Sequence, residues 1–323
     1  MDVKQIEYIV KIAETGSITR AAEQLFITQS ALNQQLLKLE QSLGVKLFIR
    51  HKHDMTPTEA GNVYLKYGRH MLQEKREAYT IINDMSQNNV GKLYFTFARE
   101  RGIDMFCSTY SVFHQKFPGI TLEPHEMLAQ QQMARIAQGY VDLGLVTVSE
   151  DDKLPSLEYE LIRKEPMLLA VPRSFPQAAK AARPGTPLEY LPYGDLKDLR
   201  DLPFVLIFES STMRHIIDKL FRQHHFSPYV LFESASIRTL ETMVKTDLAC
   251  TIVSGNYYKY QDRIAYFRLP GDPEWELDIV YKKGAYLSKP MLYYKELMQE
   301  YFHEKAPLIT KKKSSPYLCV KFL

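Results

Sequence analysis

The sequence predicts two units. The first is an all-α N-terminal domain that carries a small β-hairpin and continues into a long linker helix. The second is a C-terminal α/β domain of two lobes. Three observations predict this. Residues 3–43 hold apolar side chains at helical spacing in three short segments separated by turn residues. Residues 59–87 keep a 3/4 apolar spacing without a stop, and from residue 93 apolar strands alternate with helical stretches. A chain of 323 residues has room for two or three cores. The expected division is 1–58, the linker helix 59–90, the α/β domain 91–310 and a tail 311–323. Within the α/β domain, lobe I takes about 91–170 and 268–310, and lobe II about 171–267.

Bulk properties narrow the class. With 45% hydrophobic and 24% charged residues, the composition is that of a folded globular chain. No run of about 18 apolar residues predicts a membrane span, and the start lacks the layout of a signal peptide, so a cytoplasmic chain with no membrane partner is expected. Cys107, Cys250 and Cys319 show no paired or zinc-like spacing and read as free thiols in a reducing compartment. Net charge is +3, and residues 1–90 hold eleven Lys and Arg against ten Asp and Glu. Any nucleic-acid role must therefore rest on where charges sit.

The helices follow in order. Ile6, Ile9, Val10 and Ala13 mark the first, broken at Gly16, and Ser17 caps a second through about Leu25 that carries Ala21 and Ala22. Phe26 and Ile27 make a tight connection. Thr28 caps a third helix from Gln29 to about Leu43, where Gly44 offers a left-handed stop. On that helix Leu32, Leu36, Leu39 and Leu43 share the core side, while Ser30, Gln34 and Lys38 lie opposite, flanked by Gln29 and Asn33. A short helix, a tight turn and a helix that shows amides outward is the layout that enters a DNA major groove. A solvated polar face on an ordinary bundle reads equally well from periodicity alone.

The next residues favour DNA. Residues 45–50 read as a strand, 51–54 as a polar turn and 55–57 as a return strand, which together make a wing. Lys46, Arg50 and Lys52 give it a positive tip suited to phosphates. His51 and His53 lack a third partner, so no metal and no cofactor is read there. The candidate DNA contacts are Ser17, Arg20, Thr28, Gln29, Ser30, Asn33, Gln34, Lys38, Arg50 and Lys52. On the long helix, Tyr64, Tyr67, Met71, Ala78, Ile82 and Met85 form a stripe that wants a partner, most simply the same helix of a second subunit.

Tyr8, the stretch GSITRAAEQLFITQSALNQQLLKLEQSLGVKLFIR (16–50) and MTPTEAG (55–61) resemble, in order, the N-terminal domain of LysR-type transcription regulators. Ser30 stands where that family usually has Pro, Asn33 where it has Ser, and Gln34 where it has a basic residue. The resemblance thus implies a winged helix-turn-helix with an altered operator preference, Gln34 favouring adenine over guanine.

After a polar hinge at 88–91, strands are expected at 93–97, 120–123 and 142–146, with helices from 103 to 117 and from 131 to 138. This βαβαβ order predicts a parallel sheet covered on both faces. The order repeats with strands at 167–171, 204–208, 229–232 and 249–253 and helices near 212–225 and 236–246. Strands near 265–269 and 277–282 and a helix at about 289–303 complete it, with crossovers near 170–173 and 265–269 and a cleft between the lobes. The stretch 174–200, with four prolines, reads as a loop.

FHQKFPGITLE (113–123), GYVDLGLV (139–146), LLAVP (168–172) and TLETMVKTDLACTIV (239–253) resemble the same family's effector domain, which is similar in fold to type 2 periplasmic binding proteins. Asp247 and Ala249 stand where that family commonly has Gly. The resemblance implies a pocket lined by Ala98, Arg99, Glu100, Arg101, Thr147, Ser149, Ser210, Ser211, Thr212, and Thr251 or Ser254. Arg99 and Arg101 would clamp an anionic small molecule, or else pair on the surface with Glu100 and Asp104. It further implies a homodimer or homotetramer on double-stranded promoter DNA, with ligand-dependent bending and RNA polymerase as a further candidate partner. An enzyme or a small-molecule binding protein built on the C-terminal domain is the alternative. Against the enzyme, GxSxG, P-loop, GxGxxG and HExxH patterns are all missing. The basic run Lys311–Lys313 and the apolar end after it receive no reading.

Overall fold

A computed structural model describes residues 2–51, 54–86, 89–258 and 262–304, apart from the side chains of Arg99 and Glu304. Lys52, His53 and the tail from 311 lie outside the described residues. Helix α1 (Val3–Thr15) stops at Gly16, whose φ of 63° is left-handed. In α2 (Ile18–Gln24) and α3 (Gln29–Leu43) the hydroxyls of Ser17 and Thr28 accept from Arg20 N and Ala31 N, as their N-cap positions require. The turn between these helices needs one left-handed residue. Phe26 takes it at φ 54°, with its ring 95% exposed.

Ile6, Ile9, Ala21, Leu32, Leu36 and Leu65 pack together as the N-terminal core. Leu43, expected there, is 46% exposed in the last turn of α3. The buried place on that face belongs to Glu40. Its carboxylate accepts from Leu47 N at 2.8 Å, Phe48 N at 3.4 Å and Lys46 Nζ at 3.0 Å. Because Leu47 N turns to Glu40 and Leu47 O to Thr58 N, the wing strand starts later than expected. Strand β1 (Phe48–Arg50) pairs antiparallel with β2 (Met55–Pro57), and Met55 N donates to Gly16 O, tying the wing to the α1–α2 turn.

Helix α4 (Glu59–Met85), capped by Thr58, buries Tyr64 and Leu65 in the N-terminal core. Gly61 is needed there, since a Cβ would lie 2.0 Å from Leu47 O. Farther along, α4 lies against the C-terminal domain. Arg76 bonds Gly139 O and Asp142, Lys282 Nζ donates to Gln73 Oε1 at 2.8 Å, and Asp84 accepts from Tyr286 Oη and Lys289 N, both at 2.9 Å. Burial pushes the Asp142 carboxyl above its ordinary range, against the pull of Arg76 and the Tyr94 N–H.

The C-terminal chain runs β3 (Gly91–Phe97), α5 (Arg99–Lys116), β4 (Ile120–Glu126), α6 (Ala129–Ala137), β5 (Leu143–Val148) and β6 (Leu157–Pro172). It continues with β7 (Pro203–Ile207), α7 (Thr212–Gln223), β8 (Tyr229–Ser234), α8 (Ile237–Lys245), β9 (Thr251–Ser254), β10 (Ile264–Arg268), β11 (Glu274–Lys282) and α9 (Lys289–Glu304). The parallel expectation holds where β3 meets β4 and β5, and where β7 meets β8. Elsewhere it is corrected: β11 is antiparallel to β5 and β6, and β6 to β9 and β10. The reason is connectivity. β11 brings the chain back from lobe II and enters the lobe I sheet from the opposite direction.

Strand β6 belongs to both lobes. Residues 157–166 pair with β11, and Met167–Pro172 with β9 and β10. Its first half was hidden from the sequence reading by Glu158, Glu160, Arg163, Lys164 and Glu165, which interrupt the apolar pattern. The crossing therefore lies at 165–167 on β6 and 269–274 before β11, a few residues toward lobe I from the expected places. Phe95, Phe113 and Tyr294 centre the lobe I core with edge-to-face contacts. Phe204, Leu240 and Ile252 lie in that of lobe II. The stretch 174–200 holds short 3-10 turns and an isolated β-bridge from Tyr193 to Arg268, and its Leu191, Leu196 and Leu199 are buried in the lobe II core. Asp247 sits at φ 60°, a conformation that explains glycine there, and its carboxylate accepts from Ser174 Oγ at 2.5 Å.

Candidate DNA-reading face and interlobe cleft

The start of α3 presents Thr28, Gln29, Ser30 and Gln34 to solvent, with Lys38 a turn farther and Asn33 half-buried beside them. Several donors are already engaged. The Thr28 hydroxyl caps Ala31 N and bonds Ser30 Oγ at 3.1 Å, and the Ser17 hydroxyl caps Arg20 N. Arg20 Nη2 donates to Thr15 O at 2.6 Å, and Arg50 Nη2 reaches from the wing to Asn33 Oδ1 at 2.6 Å. Gln29, Gln34 and Lys38 make no side-chain hydrogen bond among the described residues. The face is thus built from caps that fix the helix and amides that remain open.

The junction between the lobes is organised around a residue that sequence reasoning missed. Glu165, at the crossing point of β6, is buried and bonds Arg101 from lobe I. It also accepts from Arg163 Nε at 2.7 Å, Ser254 Oγ at 2.7 Å and Trp275 Nε1 at 2.9 Å. Burial alone would push its carboxyl up. The Arg101 and Arg163 guanidiniums, with the Ser254 and Trp275 donors, outweigh that and hold it below the usual carboxylate range. Arg101, expected to clamp a ligand or pair on the surface, is not a surface residue: its side chain is 6% exposed and bonds Glu165. The signal available in the sequence was a lone acid between a charged stretch and the apolar run 167–171.

Around this centre the implied pocket residues divide. Ala98 starts α5 without a side-chain cap, and the Arg99 side chain lies outside the described residues. Glu100 reaches from lobe I to lobe II, where its Oε2 accepts from Ile237 N and Tyr257 Oη, both at 3.4 Å. Thr212 Oγ1 donates to Thr147 O at 3.2 Å, joining α7 to the end of β5. Ser210 is exposed, and Ser211 makes no side-chain cap bond. Ser149 turns away, bonding Asp152 Oδ2 and lining a separate groove with His215, Lys219 and Pro270. Thr251 is fully buried with its hydroxyl on Val205 O at 2.7 Å, inside lobe II, so of the pair Thr251 and Ser254 only Ser254 joins the centre.

A second buried carboxylate stands apart from this network. Asp278 on β11 is fully buried, neither of its oxygens has a hydrogen-bond partner among the described residues, and burial pushes it up to about 6. Its folded pKa exceeds the ordinary value of about 3.9, so its stabilising contribution is complete below about 4 and is lost as pH rises through about 6. Asp278→Asn is therefore expected to stabilise the protein by about 1–3 kcal/mol at pH 8 and to change little at pH 4. Urea midpoints at the two pH values check this.

No helix among the described residues is long and apolar enough to cross a membrane. Residues 3–62 match the family model "Bacterial regulatory helix-turn-helix protein, lysR family", and residues 105–302 match "LysR substrate binding domain". The helix-turn-helix transcriptional regulator YcgK of Bacillus subtilis is 26% identical over 316 residues, covering 93% of this chain and 94% of its own. YnfL of Escherichia coli is 27% identical over 266 residues, covering 81% and 84%. Among solved structures, full-length CbnR complexed with its target DNA aligns over 93% of this chain and 99% of its own at 21% identity, TM-score 0.55. A full-length OxyR variant from Pseudomonas aeruginosa aligns over 94% and 95% at 19% identity, TM-score 0.66. At these identities the structural likeness is one of fold.

Proposed function

The chain belongs to the LysR family of helix-turn-helix transcriptional regulators, and on that premise we propose how it reads DNA and responds to a small molecule. It is a DNA-binding regulator with an effector-binding domain rather than an enzyme. The proposal is that two copies join through the exposed stripe of α4, and two such pairs through their C-terminal domains. Their α3 helices then enter successive major grooves of an interrupted palindrome in promoter DNA.

Gln29, Ser30, Asn33 and Gln34 face bases in this reading. Ser17, Arg20, Thr28, Lys38, Arg50 and Lys52 anchor phosphates. The observation that carries it is the open amide face of α3, fixed by the Thr28 cap and flanked by the wing. The effector sits between the lobes, where Ser210, Ser211 and the start of α7 suit an anionic group. Arg101 contributes indirectly, through Glu165. Effector binding alters lobe closure, and because α4 is bonded to lobe I through Arg76, Gln73 and Asp84, the change reaches the spacing of the α3 pairs and the bend of the DNA. RNA polymerase at the same promoter is the partner that reads that bend.

Footprinting at fixed salt on the DNA upstream of the chain's own gene tests the reading. Wild-type protein is expected to protect an A/T-rich interrupted palindrome. Gln34→Ala is expected to lose about tenfold in affinity there and to relax one base position, since a bidentate amide–adenine pair is worth about 1–3 kcal/mol. No sequence-specific protection on that DNA or on genomic fragments would overturn it.

A further inference from the structure

We propose that the cavity between the linker helix and lobe I is a small-molecule site of its own, separate from the place between the lobes, and that it takes an organic monocation with an apolar body. The cavity holds about 320 Å³, a size that suits a small molecule. Its two walls differ. From α4 come mainly polar side chains, among them Glu77 and Asp84, and from lobe I come Leu93, Ile120, Val141 and Met291. Glu77 and Asp84 stand seven residues apart, two turns along one face of the helix. Tyr286, in the turn before α9, bonds both. Its N–H donates to Glu77 Oε1 at 3.1 Å and its hydroxyl to Asp84 Oδ2 at 2.9 Å.

The charges on the lining select the ligand. Lys289 N also donates to Asp84 Oδ2, so both bonds to that carboxylate fall on one oxygen. Oδ1 has none among the described residues, although Asp84 is only 7% exposed. Glu77 Oε2 is likewise open, and neither acid has a cationic partner among the described residues. The lining cations are mostly engaged: Arg76 pairs with Asp142 at 3.1 Å and Lys92 with Glu123 at 2.6 Å. Lys282 bonds the neutral Gln73 at 2.8 Å. Two acids against one lysine leave the cavity short of positive charge, and a buried carboxylate with an open oxygen gains most from a charged donor. A primary ammonium supplies the charge and three donors. An alkyl body behind it covers the apolar side chains of lobe I. Because α4 forms one wall and lobe I the other, a molecule that touches both favours their docked arrangement.

Calorimetric titration of the full chain at pH 7 with hexylamine, hexanol and hexanoate tests this, since the three share an alkyl body and differ in charge. Hexylamine, protonated at that pH, is expected to bind tighter than either of the others by about tenfold or more, the worth of a hydrogen bond to a charged group. Asp84→Asn keeps an oxygen for Tyr286 and Lys289, and is expected to remove that advantage while hexanol binds as before. Glu77→Gln, at the more exposed of the two acids, gives the same reading should the first variant fail to fold. Tightest binding by hexanoate would assign the cavity to an anion on Lys282. Hexylamine binding that neither variant weakens would place it elsewhere, and equal losses of hexylamine and hexanol would show that the two acids only hold the walls together. No binding of any probe at millimolar concentration would leave no site. Each of these four results overturns the inference, and none touches the DNA-reading proposal, which footprinting decides.

Discussion

Replacing Glu165 by alanine is expected to lower the stability of the C-terminal domain by about 3–5 kcal/mol, the cost of leaving a buried charge without its partner. Arg101 loses its counter-charge inside the protein, and Ser254 and Trp275 lose their acceptor at the same time. Glu165→Gln should cost less, because the amide keeps one oxygen for those two donors. The effect carries a pH signature. Folding holds the Glu165 carboxyl below its unfolded value of about 4.3, so its contribution is present above that pH and is lost as pH falls through the lower folded value. The alanine variant should therefore differ most from wild type at neutral pH and converge with it in strong acid. Trp275 is the only tryptophan in the chain and touches Glu165, so its fluorescence during urea unfolding reports the event directly. Equal midpoints at pH 7 for the alanine variant and wild type would show that the network contributes nothing net.

Placing glutamates at Tyr67 and Ile82 together is expected to split the proposed dimer and to weaken operator binding by about 100-fold or more. Helix α4 is about 40 Å long at 1.5 Å per residue, longer than the compact N-terminal core needs. Tyr67 and Ile82, 58% and 57% exposed, share one face with Val63, Met71 and Met85, all exposed as well. Burying a charge from each subunit at such a seam without a partner is strongly unfavourable. Losing the second half-site forfeits an avidity gain of about 10²–10⁴. Sedimentation at micromolar concentration reads the first effect, and a binding isotherm on a palindromic duplex the second. A variant that remains a dimer would move the interface off α4. Tyr64, which the sequence reading put in this stripe, belongs instead to the N-terminal core, where α4 meets α1.

The stripe and the Glu165 network show where sequence reading succeeds and where it stops. Caps, breaks and apolar periods are local, so Ser17, Thr28, Gly44 and the three leucines at 32, 36 and 39 could be placed from the chain alone. Glu40 could not. Its burial depends on two backbone N–H groups of the wing, seven and eight residues away, that need an acceptor. The place of the Thr251 hydroxyl was hidden for a related reason: nothing in its neighbours says that it turns toward Val205, 46 positions away.

Legible in the chain alone were the short helices with their wing, the long helix and the order of most strands and helices, which follow from spacing and caps within a few residues, while the family was legible only through the resemblance of Tyr8, 16–50 and 55–61 to a known domain. Tertiary structure alone decided that β6 and β11 run antiparallel through the lobe junction, that Arg101 faces an internal carboxylate, and that Arg50 reaches Asn33. Those pairings join residues from 17 to more than 100 positions apart, and a side chain's partner at that distance is set by packing and by the need to satisfy buried charge, neither of which leaves a period in the sequence.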